Sequence, residues 1–314
     1  MLRLATFIAG LAFVLTPAAQ AANTACAPSA ATVPVAQASA SSFQLTSADG
    51  ICLQGYQWAP VGAPRGVVIV AHGLRDHSNR YARLIAPLVA QGLVVQAQDM
   101  RGHGASGGDR QRFDSVDDLV ADLSLGITRA RATRPNLPVF VFGHSMGGMT
   151  AATYAARPDP QIRGVILSAP FLVLPENASR FEQVIGRAIA AVAPGAKIQK
   201  LDDTVFLREE SARRALATDP LVDHSDLPAA SARAALNGVE AIAARMSSVS
   251  VPLLILHGLA DESTSIAGSR LLVKTAKSSD KTLREIPVAR HDLTNEPEGP
   301  QLALDIAKWV GDRL

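Results

Sequence analysis

One serine lies in a sequence context that would make its hydroxyl reactive. Residues 143–147 read Gly-His-Ser-Met-Gly, after the apolar run Val-Phe-Val-Phe at 139–142 and before an alanine-rich stretch at 149–156. This order predicts a buried strand, a sharp turn and a helix. The glycines leave room for a strained turn that lifts the Ser145 hydroxyl clear of the sheet. The pattern therefore indicates a nucleophilic serine, although the five-residue motif alone also occurs by chance.

A serine hydroxyl is a poor nucleophile until a base takes its proton, so a histidine must lie within reach. His291 is the predicted base among the seven histidines, because it follows the last predicted strand. That position is the carboxyl end of the sheet, where ligands bind in open α/β folds. An ordinary loop histidine is the alternative. The remaining histidines are predicted to be turn, loop or cap residues: His72, His77, His103, His144, His224 and His257.

The base needs a carboxylate that fixes its tautomer and stabilises the imidazolium. Asp261 is the predicted acid, since it lies just beyond the end of an apolar strand. Glu262 is the neighbouring competitor, and a solvated loop carboxylate is the alternative for either. Asp292 adjoins His291, so backbone geometry disfavours it as the support. Asp99 ends a different strand and is predicted to pin its own glycine-rich loop.

Acyl transfer places negative charge on a carbonyl oxygen, and that charge needs preorganised hydrogen-bond donors. The backbone N–H of Met146, directly after the serine, is one predicted donor. The second is the N–H of Leu74, in the His-Gly-Leu turn that follows the β-branched run at 66–71. A tight strand-to-helix turn explains the same residues without any catalytic role. Both explanations hold together, because such a turn is what points the N–H inward.

Strands alternate with helices along most of the chain, which predicts an α/β fold with a mostly parallel central sheet flanked by helices. The predicted core comprises residues 43–170 and 251–314, and it begins with an antiparallel edge hairpin. Residues 171–250 contain no convincing strand pattern and are predicted to form an inserted helical lid over the site. A helical subdomain without a role in access is the alternative.

The amino terminus has the pattern of an export signal. Arg3 precedes an apolar stretch at 4–15, and small residues suited to cleavage follow at 18–22. Residues 1–22 are therefore predicted to be a signal peptide, with a retained membrane anchor as the alternative. Residues 23–42 are rich in Ala, Pro, Ser and Thr and are predicted to be a flexible linker. The mature chain is expected to be periplasmic or secreted, with no stable membrane span.

Cysteine content and charge narrow the chemistry further. Export would permit a disulfide between Cys26 and Cys52, and lipid modification of Cys26 is the minor alternative. Neither cysteine has metal-ligand spacing, so no metal or cofactor is predicted. The 30 basic and 28 acidic residues nearly balance, so no nucleic-acid partner is predicted.

As a set, these motifs resemble the α/β-hydrolase family, and more narrowly the branch that contains monoacylglycerol lipases and lysophospholipase-like esterases. The resemblance covers the chain from about residue 43 to the carboxyl terminus. One departure lies at 262–264, where Glu-Ser-Thr replaces the basic residue and valine pair that this branch more often has. The segments that carry the resemblance are 72–81, 99–107, 143–148, 167–170, 219–222, 251–258 and 291–297.

The resemblance implies a triad of Ser145, Asp261 and His291, in the chain order of α/β-hydrolases, with Leu74 and Met146 as the oxyanion donors. It implies a serine hydrolase that cleaves carboxylic esters through an acyl-enzyme, without a cofactor. The export signal at 1–22 and the linker at 23–42 are a second departure from the cytosolic or membrane-associated relatives, and export is expected from those residues alone. Monoacylglycerol or lysophospholipid-like substrates are favoured by apolar residues of the predicted lid. These are Phe171, Leu172, Val173, Leu174, Phe181 and Ile185.

Other activities would use the same groups. An amino-terminal peptidase needs carboxylates to hold the substrate ammonium, and a small-ester carboxylesterase needs only a smaller acyl site. The serine disfavours a dehalogenase, and the presence of all three triad candidates disfavours a non-catalytic binding module. The acidic lid residues that leave a peptidase open are Glu176, Glu182, Asp202, Asp203, Glu209 and Glu210.

Overall fold

A computed structural model describes residues 24–28, 31–174, 180–200 and 202–314. The predicted signal peptide lies outside these residues. The described residues contain ten strands, in chain order: β1 Ala38–Thr46, β2 Cys52–Pro60, β3 Gly66–Ala71, β4 Leu93–Gln98, β5 Val139–His144, β6 Gly164–Ser168, β7 Lys197–Gln199, β8 Leu227–Pro228, β9 Leu253–Gly258 and β10 Lys281–Ile286.

Eight of these strands form one sheet, in the order β1-β2-β4-β3-β5-β6-β9-β10. The pairings of β2 with β1 and with β4 are antiparallel, and the other five pairings are parallel. The mostly parallel sheet and its antiparallel edge hairpin are therefore confirmed. The carboxyl ends of β3, β5, β6 and β9 meet at one rim, which is where the candidate site lies.

Helices cover both faces of this sheet. They are α1 Ala82–Ala90, α2 Val116–Thr133, α3 Met146–Ala155, α4 Arg180–Val192, α5 Glu210–Ala217, α6 Ala229–Ala243, α7 Ile266–Thr275 and α8 Gly299–Gly311. Alternate residues of the central strands enter two separate cores. Val67 and Val141 pack on one face, and Val68 and Phe142 pack on the other. Strands buried on both faces explain the continuous apolar runs in the sequence.

The segment at 171–250 lies between β6 and β9 and contains α4, α5 and α6. It also contains a small antiparallel sheet of β7 and β8, so the expectation of a strand-free insertion is wrong in this detail. These strands have only three and two residues, too few for alternation to appear in a sequence. The role of the segment as a lid, and the domain boundaries at 170 and 251, stay predictions.

The predicted linker at 23–42 is wrong over its second half, because β1 begins at Ala38. Ahead of the strand, Trp58 Nε1 donates a hydrogen bond to the carbonyl of Val33 at 2.8 Å. The N–H of Val33 donates to Asn79 Oδ1 at 3.1 Å, and Val35 is buried in the core. A ladder of backbone hydrogen bonds needs no particular side chain, so the short Ala and Ser residues at 38–42 gave no sign that the predicted strand begins five residues earlier.

Cys26 and Cys52 form a disulfide. The bond joins the amino-terminal segment to the start of β2, and the N–H of Ala27 donates to the carbonyl of Ala105 at 2.9 Å. The disulfide uses the Cys26 sulfur that a lipid thioether would need, so the lipid-anchor alternative is wrong for this state of the chain. A disulfide is typical of oxidising compartments, which agrees with the predicted export.

Replacing both Cys26 and Cys52 by serine is expected to lower the free energy of unfolding by about 3 kcal/mol, because the disulfide closes a loop of 26 residues in the unfolded chain. Urea unfolding of the wild-type chain with and without reductant measures the effect. The double variant is the control, since its midpoint must not respond to reductant. Equal midpoints for the oxidised and reduced wild-type chain would contradict the prediction.

No helix in the part of the chain that the structure describes combines the length and the apolar character needed to cross a membrane.

Candidate active site

Ser145 lies between β5 and α3, on the sharp turn that the sequence predicts. Its φ is 54° and its ψ is −116°, a left-handed backbone that is strained for any residue with a β-carbon. The N–H of Ser145 donates to the carbonyl of Ser168 at 3.0 Å, which holds the turn against β6. A β-carbon on Gly147 would lie 2.2 Å from the carbonyl oxygen of Ala71. The elbow therefore depends on glycine at 147.

Gly147→Ala is expected to lower the free energy of unfolding by about 3 kcal/mol, because the new methyl group collides with backbone that cannot move cheaply. Gly195→Ala is the matched control, since nothing lies within 4 Å of its added β-carbon. Urea unfolding of both variants measures the difference. A Gly147→Ala protein as stable as the Gly195→Ala protein would mean that the elbow can relax.

His291 and Asp261 form a direct pair at the rim of the sheet. Nδ1 of His291 lies 2.8 Å from Oδ2 of Asp261, and the two side chains are only 6% and 1% exposed. The other carboxylate oxygen accepts hydrogen bonds from the backbone N–H groups of Ser263 and Thr264, at 2.7 and 3.0 Å. The Thr264 hydroxyl donates to Oδ2 at 2.8 Å. This arrangement fixes which imidazole nitrogen faces the carboxylate.

The pKa of Asp261 is lowered well below its usual range. Burial by itself raises the pKa of this carboxyl, but the positive charge of His291 opposes that effect. Hydrogen bonds from His257, His291 and the N–H of Thr264 lower the pKa further. Asp261 is therefore ionised throughout the neutral range, as the partner of an imidazolium must be.

His257 also contacts Asp261, and the sequence pattern assigned it to the wrong kind of element. It was expected in a turn, but it lies inside β9, completely buried. Its Nε2 is 3.4 Å from Oδ2 of Asp261, and its Nδ1 is 2.8 Å from the hydroxyl of Ser269. The four-residue spacing of His257 and Asp261 was visible in the sequence. The sequence could not show that β9 extends through His257 and that the imidazole of His257 therefore faces the carboxylate of Asp261.

The elbow, the predicted base and the predicted oxyanion turn come together in space. The ring centroids of His144 and His291 are 4.7 Å apart, so the imidazole of His291 lies over the elbow. A β-carbon on Gly73 would lie 3.2 Å from Cβ of Ser145. The turn that contains Leu74 therefore passes directly beside the serine. Met146 is the first residue of α3, whose amino-terminal N–H groups point toward the same rim.

Of the competing carboxylates, one is exposed and two are bound by other groups. Glu262 is exposed, and Asp292 accepts from Arg80 Nη2 at 2.9 Å, away from the adjoining His291. Asp99 accepts from the N–H of Ala105 at 2.9 Å, so the prediction that it pins its own loop is confirmed. No group of three or more His, Cys, Asp or Glu side chains suited to a metal ion occurs among the described residues.

Three further histidines near the site are buried and held neutral. Burial lowers the pKa of His72, and it lowers the pKa of His103 to about 3. Burial also lowers the pKa of His144 to about 4, with a further contribution from the positive charge of His291. These rings act as fixed hydrogen-bonding groups; Nε2 of His72, for example, accepts from the N–H of Met100 at 2.8 Å.

The protein is expected to lose stability as the pH falls below about 6.5, the ordinary pKa of histidine. The folded pKa values of His103 and His144 lie below that value, so the unfolded chain takes up protons first. Each histidine then contributes a slope of about 1.4 kcal/mol per pH unit, down to its folded pKa. Urea unfolding between pH 7 and pH 4.5 measures the slope. His103→Asn should make the slope shallower, and an unchanged slope would contradict the assignment.

A buried carboxylate–imidazole pair beside a serine on a strand-to-helix elbow defines the α/β-hydrolase class. The family model described as serine aminopeptidase, S33, matches residues 62–298, and the chain belongs to this family. Monoacylglycerol lipase of Mycolicibacterium smegmatis is 35% identical over 257 residues, which cover 82% of this chain and 92% of that protein.

Two further relatives are also monoacylglycerol lipases by name. Monoglyceride lipase of Homo sapiens is 33% identical over 272 residues, 86% of this chain and 90% of the relative. The crystal structure of monoacylglycerol lipase from Paleococcus ferrophilus superimposes with a TM-score of 0.74 at 28% identity, covering 88% of this chain and 99% of that one. The chain is thus a serine ester hydrolase of the monoacylglycerol lipase-like branch.

Proposed function

We propose that Ser145, Asp261 and His291 are a catalytic triad that hydrolyses monoacylglycerol or lysophospholipid-like esters through an acyl-enzyme. The pairing of His291 with Asp261 beside the strained elbow is the observation that carries this proposal. Leu74 and Met146 supply the backbone N–H groups that bind the oxyanion. These roles agree with the order and spacing that the sequence predicts.

The reaction follows from these positions. Neutral His291 takes the proton of Ser145 as the hydroxyl oxygen attacks the ester carbonyl, and Asp261 stabilises the imidazolium that forms. The oxyanion lies between the N–H groups of Leu74 and Met146. His291 then gives its proton to the leaving alcohol, and the acyl group stays on the serine. Water activated by His291 attacks the acyl-enzyme and releases the carboxylic acid.

Apolar residues near the rim support an acyl substrate. Phe171 and Leu174 pack partly buried against the core that contains Met146. The ring of Phe206 lies 5.3 Å from the ring of His291 and covers the base with an apolar surface. An apolar wall beside the base suits an acyl chain better than it suits a charged group.

A peptidase that removes amino-terminal residues is the second candidate, because the matching family model carries that description. Such an enzyme needs free carboxylates that bind the substrate ammonium. Asp203 is instead paired with Arg75 at 2.7 Å and with His224 at 2.7 Å. Glu210 is exposed and lies 2.8 Å from Arg214. Two of the six candidate carboxylates are therefore already paired with cations, which favours the esterase.

A substrate panel separates the candidates. Purified mature chain is assayed with a monoacylglycerol, a lysophospholipid, a short p-nitrophenyl ester and an amino-acid anilide, with Ser145→Ala as the blank. We expect kcat/KM for the monoacylglycerol or the lysophospholipid to exceed that for the anilide by at least about 10³-fold. A preferred anilide would replace the esterase by the peptidase, and turnover of the short ester alone would indicate a small-ester carboxylesterase.

We also propose export, supported by the signal-like sequence at 1–22 and by the Cys26–Cys52 disulfide. The intact chain is expressed in a bacterium, fractionated and sequenced at its amino terminus. We expect a periplasmic or secreted product that begins near Ala22. A product that retains Met1 in the membrane fraction would support an anchor instead.

A further inference from the structure

Arg75 directly follows Leu74 and has an unusual backbone. Its φ is 55°, in the left-handed region that favours glycine. The residue is only 3% exposed, although it carries a long charged side chain. A strained backbone at a functional site persists only where surrounding interactions hold it. Glycine would adopt this backbone without strain, so we expect the side chain of Arg75 to make interactions that offset the strain.

The guanidinium of Arg75 reaches into the insertion at 171–250. Nη1 donates to Oδ1 of Asp203 at 2.7 Å. Nη2 donates to the carbonyl oxygens of Ser225 at 2.6 Å and His224 at 3.3 Å. These donors lie in one rigid plane, a geometry that lysine cannot reproduce. The turn that contains Leu74 is thereby joined to two separate segments of the insertion.

The acceptors of Arg75 are themselves joined. Oδ2 of Asp203 lies 2.7 Å from Nδ1 of His224, so one carboxylate connects both segments. Gln111, from the core, donates its Nε2 to the carbonyl of Ser225 at 2.8 Å. Removing the guanidinium would leave two carbonyl groups and the carboxylate of Asp203, whose side chain is only 19% exposed, without this shared donor.

The segment at 203–206 also reaches the base. The ring of Phe206 packs on His291 with centroids 5.3 Å apart. The carbonyl of Phe206 accepts a hydrogen bond from the N–H of Asp292 at 3.0 Å. One short segment of the insertion thus contacts the predicted oxyanion turn at its first residue and the predicted base at its last.

We propose that Arg75 is a positioning residue for ester hydrolysis, a role that rests on the proposed function. Its guanidinium holds the segment at 203–206 on the turn of Leu74. The segment in turn holds the imidazole of His291 through Phe206. The proposed oxyanion donor, Leu74, and the proposed base, His291, keep their relative positions only while Arg75 is bound to the segment at 203–206. Arg75 acts through Leu74 and Phe206 and does not touch the reacting atoms.

The proposal is tested by measuring kcat and KM on a short soluble ester for three single variants and one double variant. Arg75→Gly removes the guanidinium and relieves the left-handed strain, so a purely conformational role predicts unchanged or improved activity. We expect kcat to fall by about 100-fold with KM within about threefold, because misplaced groups act on the chemical step. Arg75→Lys should recover only part of the loss. Asp203→Asn should lower kcat, and it should add little when combined with Arg75→Gly.

Arg110→Ala is the matched control. Arg110 Nη2 also donates to a carbonyl of the insertion, that of Leu221 at 3.1 Å, but Arg110 lies outside the turn of Leu74. Its loss removes one guanidinium contact to the insertion without touching the connection between Leu74 and Phe206. We expect kcat within about twofold of wild type. A loss equal to that of Arg75→Gly would overturn the specific role of Arg75.

Hydrogen exchange gives a readout that needs no activity. In Arg75→Gly, we expect exchange to accelerate by about tenfold in peptides that cover 74–76, 203–206 and 224–225, with the core strands unchanged. Unchanged exchange in these peptides would overturn the connection. Accelerated exchange with normal kcat would overturn the positioning role. A wild-type chain without esterase activity would overturn the proposed function alone, because the exchange result is independent of it.

Discussion

Ser145→Ala is expected to lower ester turnover by about 10⁵-fold or more, the loss seen when a triad nucleophile is removed. The alanine keeps the β-carbon that the left-handed turn already accommodates, so the backbone at φ 54° does not change. Only the attacking oxygen is lost. Initial rates on the best ester of the substrate panel measure the effect, and urea unfolding verifies that the variant is folded.

Covalent labelling makes this test specific to one residue. A fluorophosphonate reacts with an activated serine, so the wild-type chain should be labelled at Ser145 and the Ser145→Ala chain should not be labelled. Ser124→Ala is the control, because this serine lies on α2 and its hydroxyl accepts a hydrogen bond from Arg157, which follows the end of α3 opposite the elbow. The Ser124→Ala chain should be labelled at Ser145 at the wild-type rate. Labelling of Ser145→Ala at a different serine would move the nucleophile.

The elbow was predictable because two independent sequence signals coincide there. A continuous apolar run predicts a strand buried on both faces, and β5 is buried over its whole length. Closely spaced glycines predict a turn with no room for β-carbons, and Gly147 lies against the carbonyl of Ala71. That His291 and Asp261 would lie close together followed from their positions after strands, because parallel strands end at the same rim.

The connections around these residues were not predictable. The contact of Arg75 with Asp203 joins residues 128 positions apart, and no periodicity connects them. His257 precedes a glycine, which gave it the pattern of a turn residue, yet it lies within β9. The first five residues of β1, 38–42, were missed because their pairing with β2 uses backbone groups and their side chains are short and polar or small. Local patterns identify elements, whereas contacts distant in sequence depend on how the elements pack.

Asp261→Asn is expected to lower kcat by about 10⁴-fold, as the corresponding change does in other triads. Nδ1 of His291 lies 2.8 Å from Oδ2 of Asp261. An ionised carboxylate can only accept a hydrogen bond, so Nδ1 is expected to carry the proton and Nε2 to be free as the proposed base. An asparagine satisfies the N–H groups of Ser263 and Thr264 with its carbonyl oxygen, which turns its NH₂ toward His291. The imidazole must then accept at Nδ1 and carry its proton on Nε2. It cannot take the proton of Ser145 in that tautomer.

Glu262→Gln separates the two adjoining carboxylates. Glu262 is exposed, whereas the side chain of Asp261 is 1% exposed and lies between His291 and His257. Removing the charge of Glu262 should change kcat by less than about threefold, because water screens an exposed charge. Rates are measured for both variants on one ester at pH 7 and pH 9. A loss for Glu262→Gln as large as that for Asp261→Asn would mean that the loop rearranges and that Glu262 is the acid. If only Asp261→Asn loses activity, and it does so at both pH values, the loss comes from the wrong tautomer of His291. Raising the pH does not move the imidazole proton from Nε2 to Nδ1, so it does not restore the base.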